Sequence, residues 1–230
     1  MSQQLALDLR LRDSYTYDNF IGGDNGLALD LLRQAASGAG EPQVLLWGEQ
    51  GTGKSHLLQA SCQAAAAQGL TSAYLPLDQV MAHPPELLQG MEKLDLVALD
   101  DLQLLAGQDD WQHALFDFIN RIREQQHRLI FATRWPPNEL TLGLEDLRSR
   151  LNWGPVIQLR SLADADKQKA LQQRARSRGF ELPDAVAGFM LNNYARDLNG
   201  LFDKLEQLDQ ASLAAQRRLT IPFVKSVCES

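Results

Sequence analysis

Cysteine is scarce in this chain. Cys62 and Cys228 are the only two among 230 residues, and no metal-type spacing relates them. A disulfide framework is excluded, and the expectation is a protein of the reducing cytoplasm. No apolar run reaches the roughly 20 residues that a helix needs to cross a bilayer. Charges interrupt the first apolar stretch, which does not fit a secretory signal. The four histidines, His56, His83, His113 and His127, show no mutual ligand spacing. Positive charge is in deficit: 22 Lys and Arg against 29 Asp and Glu leave a formal net charge of -7. A protein that grips DNA unaided shows a basic surplus or stripe. Any DNA is therefore expected to be reached mainly through a protein partner. The short basic runs RARSRG (174–179) and QRR (216–218) are read first as solvated faces, with DNA contact as the alternative.

The length suits one large domain or a main domain with a small companion. From about Leu27 to Leu159 the pattern alternates between strands and helices. Strands are expected at Gln43–Trp47 (QVLLW), at SAYLPL, at LDLVALD ending on Asp100, at Arg128–Thr133 (RLIFAT) and at PVIQL. A helix is expected over Leu57–Gln68, rich in strong helix formers. Trp111, Leu115, Phe118, Ile119 and Ile122 recur at helical spacing behind Asp109 and Asp110, which suit a helix N-terminus. Strands separated by helices imply a parallel α/β sheet covered on both faces. After Leu159 only helical patterns follow, two of them opened by Pro183 and Pro222. The change of pattern divides the chain into a base and a small helical lid.

GEQGTGKS, Gly48–Ser55, follows a strand and opens a helix. It matches G-x-x-x-x-G-K-[ST], the phosphate loop of nucleotide-binding proteins. Gly48, Gly51 and Gly53 let the backbone turn tightly, so that the amides of Gln50, Thr52 and their neighbours point at one phosphate. The helix N-terminus adds partial positive charge there. Lys54 reaches the β- and γ-phosphates and the Ser55 hydroxyl ligates Mg²⁺. His56, next in line, is read either as a phosphate or ribose contact or as a packed helix position. LVALDD supplies the acids: Asp100 ends an apolar strand as the metal partner, and Asp101 stands beside it to polarise a water. Asp101 is one methylene shorter than glutamate, so slow intrinsic hydrolysis is expected.

LRSRLNWG, Leu147–Gly154, is read as a short helix with Arg148 and Arg150 on different sides. From spacing alone, an arginine here is either a surface ion-pair partner or a finger that completes a neighbour's site. Arg196, at the start of a lid helix, is open in the same way.

These segments together carry a resemblance. YTYDNFIGGDNGLAL, the phosphate loop, LVALDDLQLLAG, LIFATRWPPNELTLGLEDLRSRLNWG and ARDLNGLFDKL stand in the order and spacing of the AAA+ module of the DnaA family, the bacterial replication initiators. QLALDL, RGFELP and TIPFVK resemble more closely the short Hda-type homologues that inactivate the initiator. The resemblance runs from about Gln4 to Val227 and does not extend to the initiator's oligomerisation and helix-turn-helix domains. It implies a P-loop NTPase of AAA+ type, with a five-stranded parallel sheet, helices on both faces and a small α-helical lid. It also implies roles. Arg150 is the arginine finger, Thr133 the sensor beside the γ-phosphate, and Arg196 the lid sensor. Tyr17, Phe20 and Ile21 belong to the segment that lines the base pocket. The bound group is ADP or ATP with Mg²⁺, the diphosphate being expected in the active form.

The resemblance also accounts for the alternating leucines of QLALDL. Gln4, Leu5, Leu7 and Leu9 resemble the short peptide with which replication proteins bind the sliding clamp, the β subunit of DNA polymerase III. Read without the family, the same residues are an edge strand. The expected division is a clamp-binding tail over 1–12, a nucleotide-binding base over 13–160 and a lid over 161–230. The expected function is a clamp-tethered regulator that stimulates ATP hydrolysis by the initiator, with a possible homo-oligomer. Its rivals are a self-acting ATPase of helicase-loader type and a non-catalytic clamp adaptor.

Overall fold

The structure is a computed structural model in which residues 15–194, 197–215 and 219–228 are described. It forms two compact units. The larger holds residues 15–20, 25–49 and 53–159, and the other holds 21–24, 50–52 and the described residues from 160 onward.

The larger unit is built on a parallel sheet of β1 (Gln43–Trp47), β2 (Ser72–Pro76), β3 (Leu96–Asp100), β4 (Arg128–Thr133) and β5 (Val156–Gln158), in the order β2-β3-β4-β1-β5. Side chains alternate across a strand, and here both sets are apolar. Val44, Leu46, Leu96, Ala98, Ile130 and Ala132 face one core, which is closed by α1 (Gly26–Ala36) and α2 (Lys54–Ala67). Leu45, Val97, Leu99, Leu129 and Phe131 face the other, closed by α4 (Asp109–Glu124) and α5 (Glu145–Leu151). Near-continuous apolar strands are what burial on both faces demands.

The stripe expected on α4 is buried as read: Trp111, Leu115, Phe118, Ile119 and Ile122 enter the core. Between β2 and β3 the helix is replaced by short pieces: the four-residue α3 (Leu77–Val80) and 3-10 turns at Pro85–Leu88 and Met91–Lys93. Pro84 and Pro85 explain this, because proline lacks the amide a helix needs and biases the residue before it away from helical backbone.

The sheet topology sets up the site. β1 lies between β4 and β5, while β4 separates it from β3. In a parallel sheet all carboxyl ends share one edge, and ligands settle where the strand order reverses. That edge carries the phosphate loop after β1, Asp100 and Asp101 after β3, and Thr133 at the end of β4.

The second unit is helical: α6 (Asp164–Ser177), α7 (Asp184–Asn193), α8 (Leu198–Ala215) and α9 (Ile221–Cys228). Leu171, Val186, Met190, Leu201, Leu205 and Val224 form its core. Two arginines of the first basic run have partners within this unit. Arg178 pairs with Glu206 at 3.1 Å and Asp209 at 3.6 Å, and Arg174 lies over Phe202. Residues 216–218 lie outside the described residues. Among the described residues, no helix is long and apolar enough to cross a membrane.

The join between α5 and β1 has no slack. The buried Gln43 side chain donates to the carbonyls of Arg150 (2.9 Å) and Leu151 (3.2 Å). A Cβ placed on Gly154 would run into the Gln43 backbone carbonyl. Gly154→Ala is expected to lower unfolding stability by about 1–3 kcal/mol, read as a fall in urea midpoint at unchanged slope.

Candidate nucleotide site and arginine face

Gly53 is the N-cap of α2 with φ +90°. That backbone conformation is unfavourable for residues with a Cβ, and a Cβ here would lie 2.6 Å from Phe20 Cε2. Glycine is thus required by both backbone and neighbour. The first turn of α2 carries no acidic residue of its own, so the helix places no negative side chain at the positive end of its dipole. Lys54 is buried, and its Nζ donates to the carbonyls of Gly48 (2.7 Å) and Glu49 (2.8 Å). Burial draws its pKa below the usual lysine range, and the charges of Asp100 and Asp101 partly oppose that.

Asp100 is 1% exposed. Its pKa is raised, first by burial and then also by the charge of Asp101, against the pull of hydrogen bonds from Ser55, Tyr74 and the Asp101 amide. The Tyr74 hydroxyl donates to Oδ2 at 2.8 Å, and the Asp101 amide donates to Oδ1 at 2.9 Å. Tyr74 is held protonated by burial and by the adjacent carboxylate, so it remains a donor. Sequence reading had missed Tyr74. The signal existed in strand alternation, but using it needed the knowledge that β2 and β3 are neighbours, with Tyr74 opposite Ala98.

Ser55 and Asp100 therefore stand beside each other as two hard oxygen ligands. Such a pair suits Mg²⁺, which takes one or two protein oxygens and completes its shell with phosphate and water. Among the described residues, no group of three or more His, Cys, Asp or Glu side chains forms a fuller metal cage.

Asp101 adopts left-handed backbone, φ +61° and ψ +44°. Its Oδ1 accepts from Gln103 Nε2 at 2.6 Å. Thr133 is fully buried, and its hydroxyl donates to Gln103 Oε1 at 3.3 Å. Gly48 N donates to the Thr133 carbonyl at 3.2 Å, which ties the loop to β4. Gln103 was the second residue missed by sequence reading.

The segment from Tyr15 to Phe20 packs on α2. The Tyr17 hydroxyl pairs with Ser61 Oγ at 2.7 Å, and burial drives the phenol pKa up. The His56 ring stacks on Tyr15 at 4.7 Å, meets the Phe20 edge at 5.3 Å, and its Nε2 lies 2.8 Å from the Thr16 carbonyl. Ile21, Gln50, Gly51 and Thr52 group with the helical unit. There a Cβ on Gly51 would make ordinary contact with Asp197 and the Leu198 amide, each at 3.5 Å. Arg196 and the tail residues Gln4, Leu5, Leu7 and Leu9 lie outside the described residues.

The two arginines of α5 have different surroundings. Arg148 donates to the carbonyls of Leu140 (3.4 Å) and Leu142 (3.1 Å), and so braces its own loop. The Arg150 guanidinium lies 3.8 Å over the Trp153 ring and 5.1 Å from Phe116. The Nε atoms of both Arg148 and Arg150 are buried with no hydrogen-bond partner. Arg123 stacks on the same indole at 4.0 Å. Trp153 is nonetheless 39% exposed.

The charge state of Asp100 has a stability consequence. Its raised pKa means that the folded state holds the proton more tightly than the unfolded chain. Stability from this group is therefore greatest below the unfolded carboxylate range, and falls as pH rises through the folded pKa. Asp100→Asn is expected to raise the melting temperature at pH 7, with the difference shrinking toward pH 4. Thermal melts across that range check the sign.

Family models match both units. The bacterial DnaA ATPase domain matches residues 11–158, and the Hda lid domain matches residues 164–228. Solved structures share the fold. Domain III of the Thermotoga maritima replication initiation protein DnaA has a TM-score of 0.86 at 21% identity, covering 96% of this chain and 98% of that one. AMPPCP-bound DnaA from Aquifex aeolicus has a TM-score of 0.75 at 26% identity, covering 89% and 68%. The Thermotoga maritima RuvB Holliday junction branch migration motor has a TM-score of 0.72 at 18% identity, covering 94% and 71%. With the phosphate loop, the sheet order and both family matches in agreement, the chain belongs to the bacterial DnaA ATPase family, as a P-loop AAA+ protein with a lid of the Hda type.

Proposed function

We propose that this protein is a nucleotide-dependent regulator of chromosome replication that acts on the DnaA initiator from the sliding clamp. The carrying observation is the posture of Arg150. It is stacked on an exposed indole, while Arg148 beside it is committed through Nη2 to its own loop. A guanidinium resting on a solvent-exposed ring, with no loop carbonyl to brace, is placed to be offered to a second protein.

In this reading the chain binds ADP or ATP. The amides of Gln50 to Ser55 and the Lys54 ammonium hold the phosphates, Thr133 and Arg196 report on them, and the segment from Tyr17 to Ile21 lines the base. The AMPPCP held by the Aquifex initiator supports an adenine nucleotide. Ser55 and Asp100 would hold Mg²⁺, whose chemistry is to neutralise phosphate charge. Intrinsic turnover through Asp101 is slow, and the protein's own nucleotide fixes the angle at which Arg150 is shown. The DNA-loaded clamp is gripped by Gln4, Leu5, Leu7 and Leu9, at about micromolar affinity or weaker for the tail alone. DNA is met mainly through the clamp. Arg150 then meets the γ-phosphate of ATP on the initiator and stabilises charge that develops during its hydrolysis. The initiator is left with ADP.

The test mixes ATP-loaded initiator, clamp-loaded DNA and this protein, and follows ADP on the initiator. Arg150→Ala is expected to lower the stimulated rate by about 10³-fold, with clamp binding unchanged in a pull-down. Leu7→Ala with Leu9→Ala is expected to abolish the dependence on the clamp. Two variants that both match wild type would overturn the proposal.

A further inference from the structure

We propose that Gln103 is a positioning residue that couples Asp101 to Thr133, so that the water-polarising acid and the γ-phosphate sensor move as one. This rests on the reading of Asp101 and Thr133 given above. Gln103 lies in the 3-10 turn Leu102–Leu105, whose buried Leu102 and Leu105 fix its backbone to the core. The half-buried side chain turns back toward the edge of the sheet. It donates to Asp101 Oδ1 at 2.6 Å, and accepts from Arg134 N at 3.1 Å and Thr133 Oγ1 at 3.3 Å.

The orientation of this amide is forced. Rotated by half a turn, it would set an oxygen against the Asp101 carboxylate and an NH₂ group against the Arg134 amide. A donor and an acceptor are thus required on one planar group at this reach. Glutamate keeps only the acceptor side, leucine keeps neither, and asparagine is one methylene short. The bond to Asp101 is charge-assisted and short, the stronger kind. It restrains a side chain whose backbone already sits at φ +61°. A phosphoryl oxygen that accepted a hydrogen bond from the Thr133 hydroxyl would compete with Gln103 for that bond. The amide oxygen, then held by Arg134 N alone, would shift, and Asp101 with it. The group that detects the terminal phosphate is by this route linked to the group that activates the attacking water.

The experiment is single-turnover hydrolysis of ATP by the full chain with Mg²⁺, with ADP affinity measured alongside. Gln103→Leu and Gln103→Glu are each expected to slow hydrolysis by about 10–100-fold, the usual scale for misplacing a catalytic group. ADP affinity should stay within about twofold of wild type. Because Gln103 acts through Asp101, the Gln103→Leu/Asp101→Asn double variant should be no slower than Asp101→Asn alone. A merely structural brace on the Arg134 amide would instead be rescued by Gln103→Glu and would add to Asp101→Asn. Either result overturns the proposal, as does a wild-type chain that forms no ADP. If Asp101→Asn slows hydrolysis and Gln103→Leu does not, only the coupling fails. If Asp101→Asn leaves the rate unchanged, the role of Asp101 fails, and the coupling with it.

Discussion

A carboxylate placed almost out of reach of solvent, at the end of an apolar strand, is the constraint around which the nucleotide edge is arranged. Asp100 has 1% exposure, and a charge at such depth is tolerated only when it is hydrogen-bonded or bound to a cation. The fold supplies Ser55 from the first turn of α2, Tyr74 from the neighbouring strand and the Asp101 amide from the chain itself. All three are donors, and each comes from a different piece of the fold. The turn that lets Asp101 N reach back also places the Asp101 side chain against Gln103. From there the network continues to Thr133 on β4, whose carbonyl accepts from Gly48 at the start of the phosphate loop. β1, β3 and β4 are thus tied at their carboxyl ends by hydrogen bonds as well as by the sheet ladder.

The arginine face follows a different logic. α5 carries its acids in the first turn and its arginines in the last, which suits the helix dipole at both ends. Arg148 then braces the loop leading into the helix, while Gln43 binds carbonyls at the end of the helix. These contacts fix α5 against β1 and leave the Arg150 guanidinium on Trp153. Planar guanidinium on an indole is a favourable pairing, and it holds a long side chain in one place without consuming its hydrogen-bond donors. A rigid, unspent cation is what the proposed action on a second protein needs.

Much of this was legible in the residues. The inner strands and the Trp111–Ile122 stripe follow from apolar periodicity, because burial on both faces leaves few polar positions to blur a strand. The phosphate loop is legible because its spacing is dictated by a phosphate rather than by the fold. The short pieces between β2 and β3 were less so, since proline forbids a helix there without saying what replaces it. Tyr74 and Gln103 were not legible without knowing which strands and turns are neighbours. Each is an ordinary polar residue whose role depends on a partner 26 or 30 positions away. The different surroundings of Arg148 and Arg150 were equally hidden, because two residues on one short helix differ only in what packs beside them.

The sequence by itself determined the chemistry available: a phosphate loop, an acid pair after an apolar strand, an all-helical second unit and an acidic overall balance. Those features are local, written in spacing and composition, and they hold wherever the segments come to rest. Only the tertiary structure decided which groups meet. Strand order put β4 between β1 and β3, so Thr133 and Asp101 share one amide, and the packing of α5 on β1 left one arginine tied and the other on an indole. Hydrogen bonds and ring contacts act over a few ångströms, and which residues come that close is a property of the packed chain.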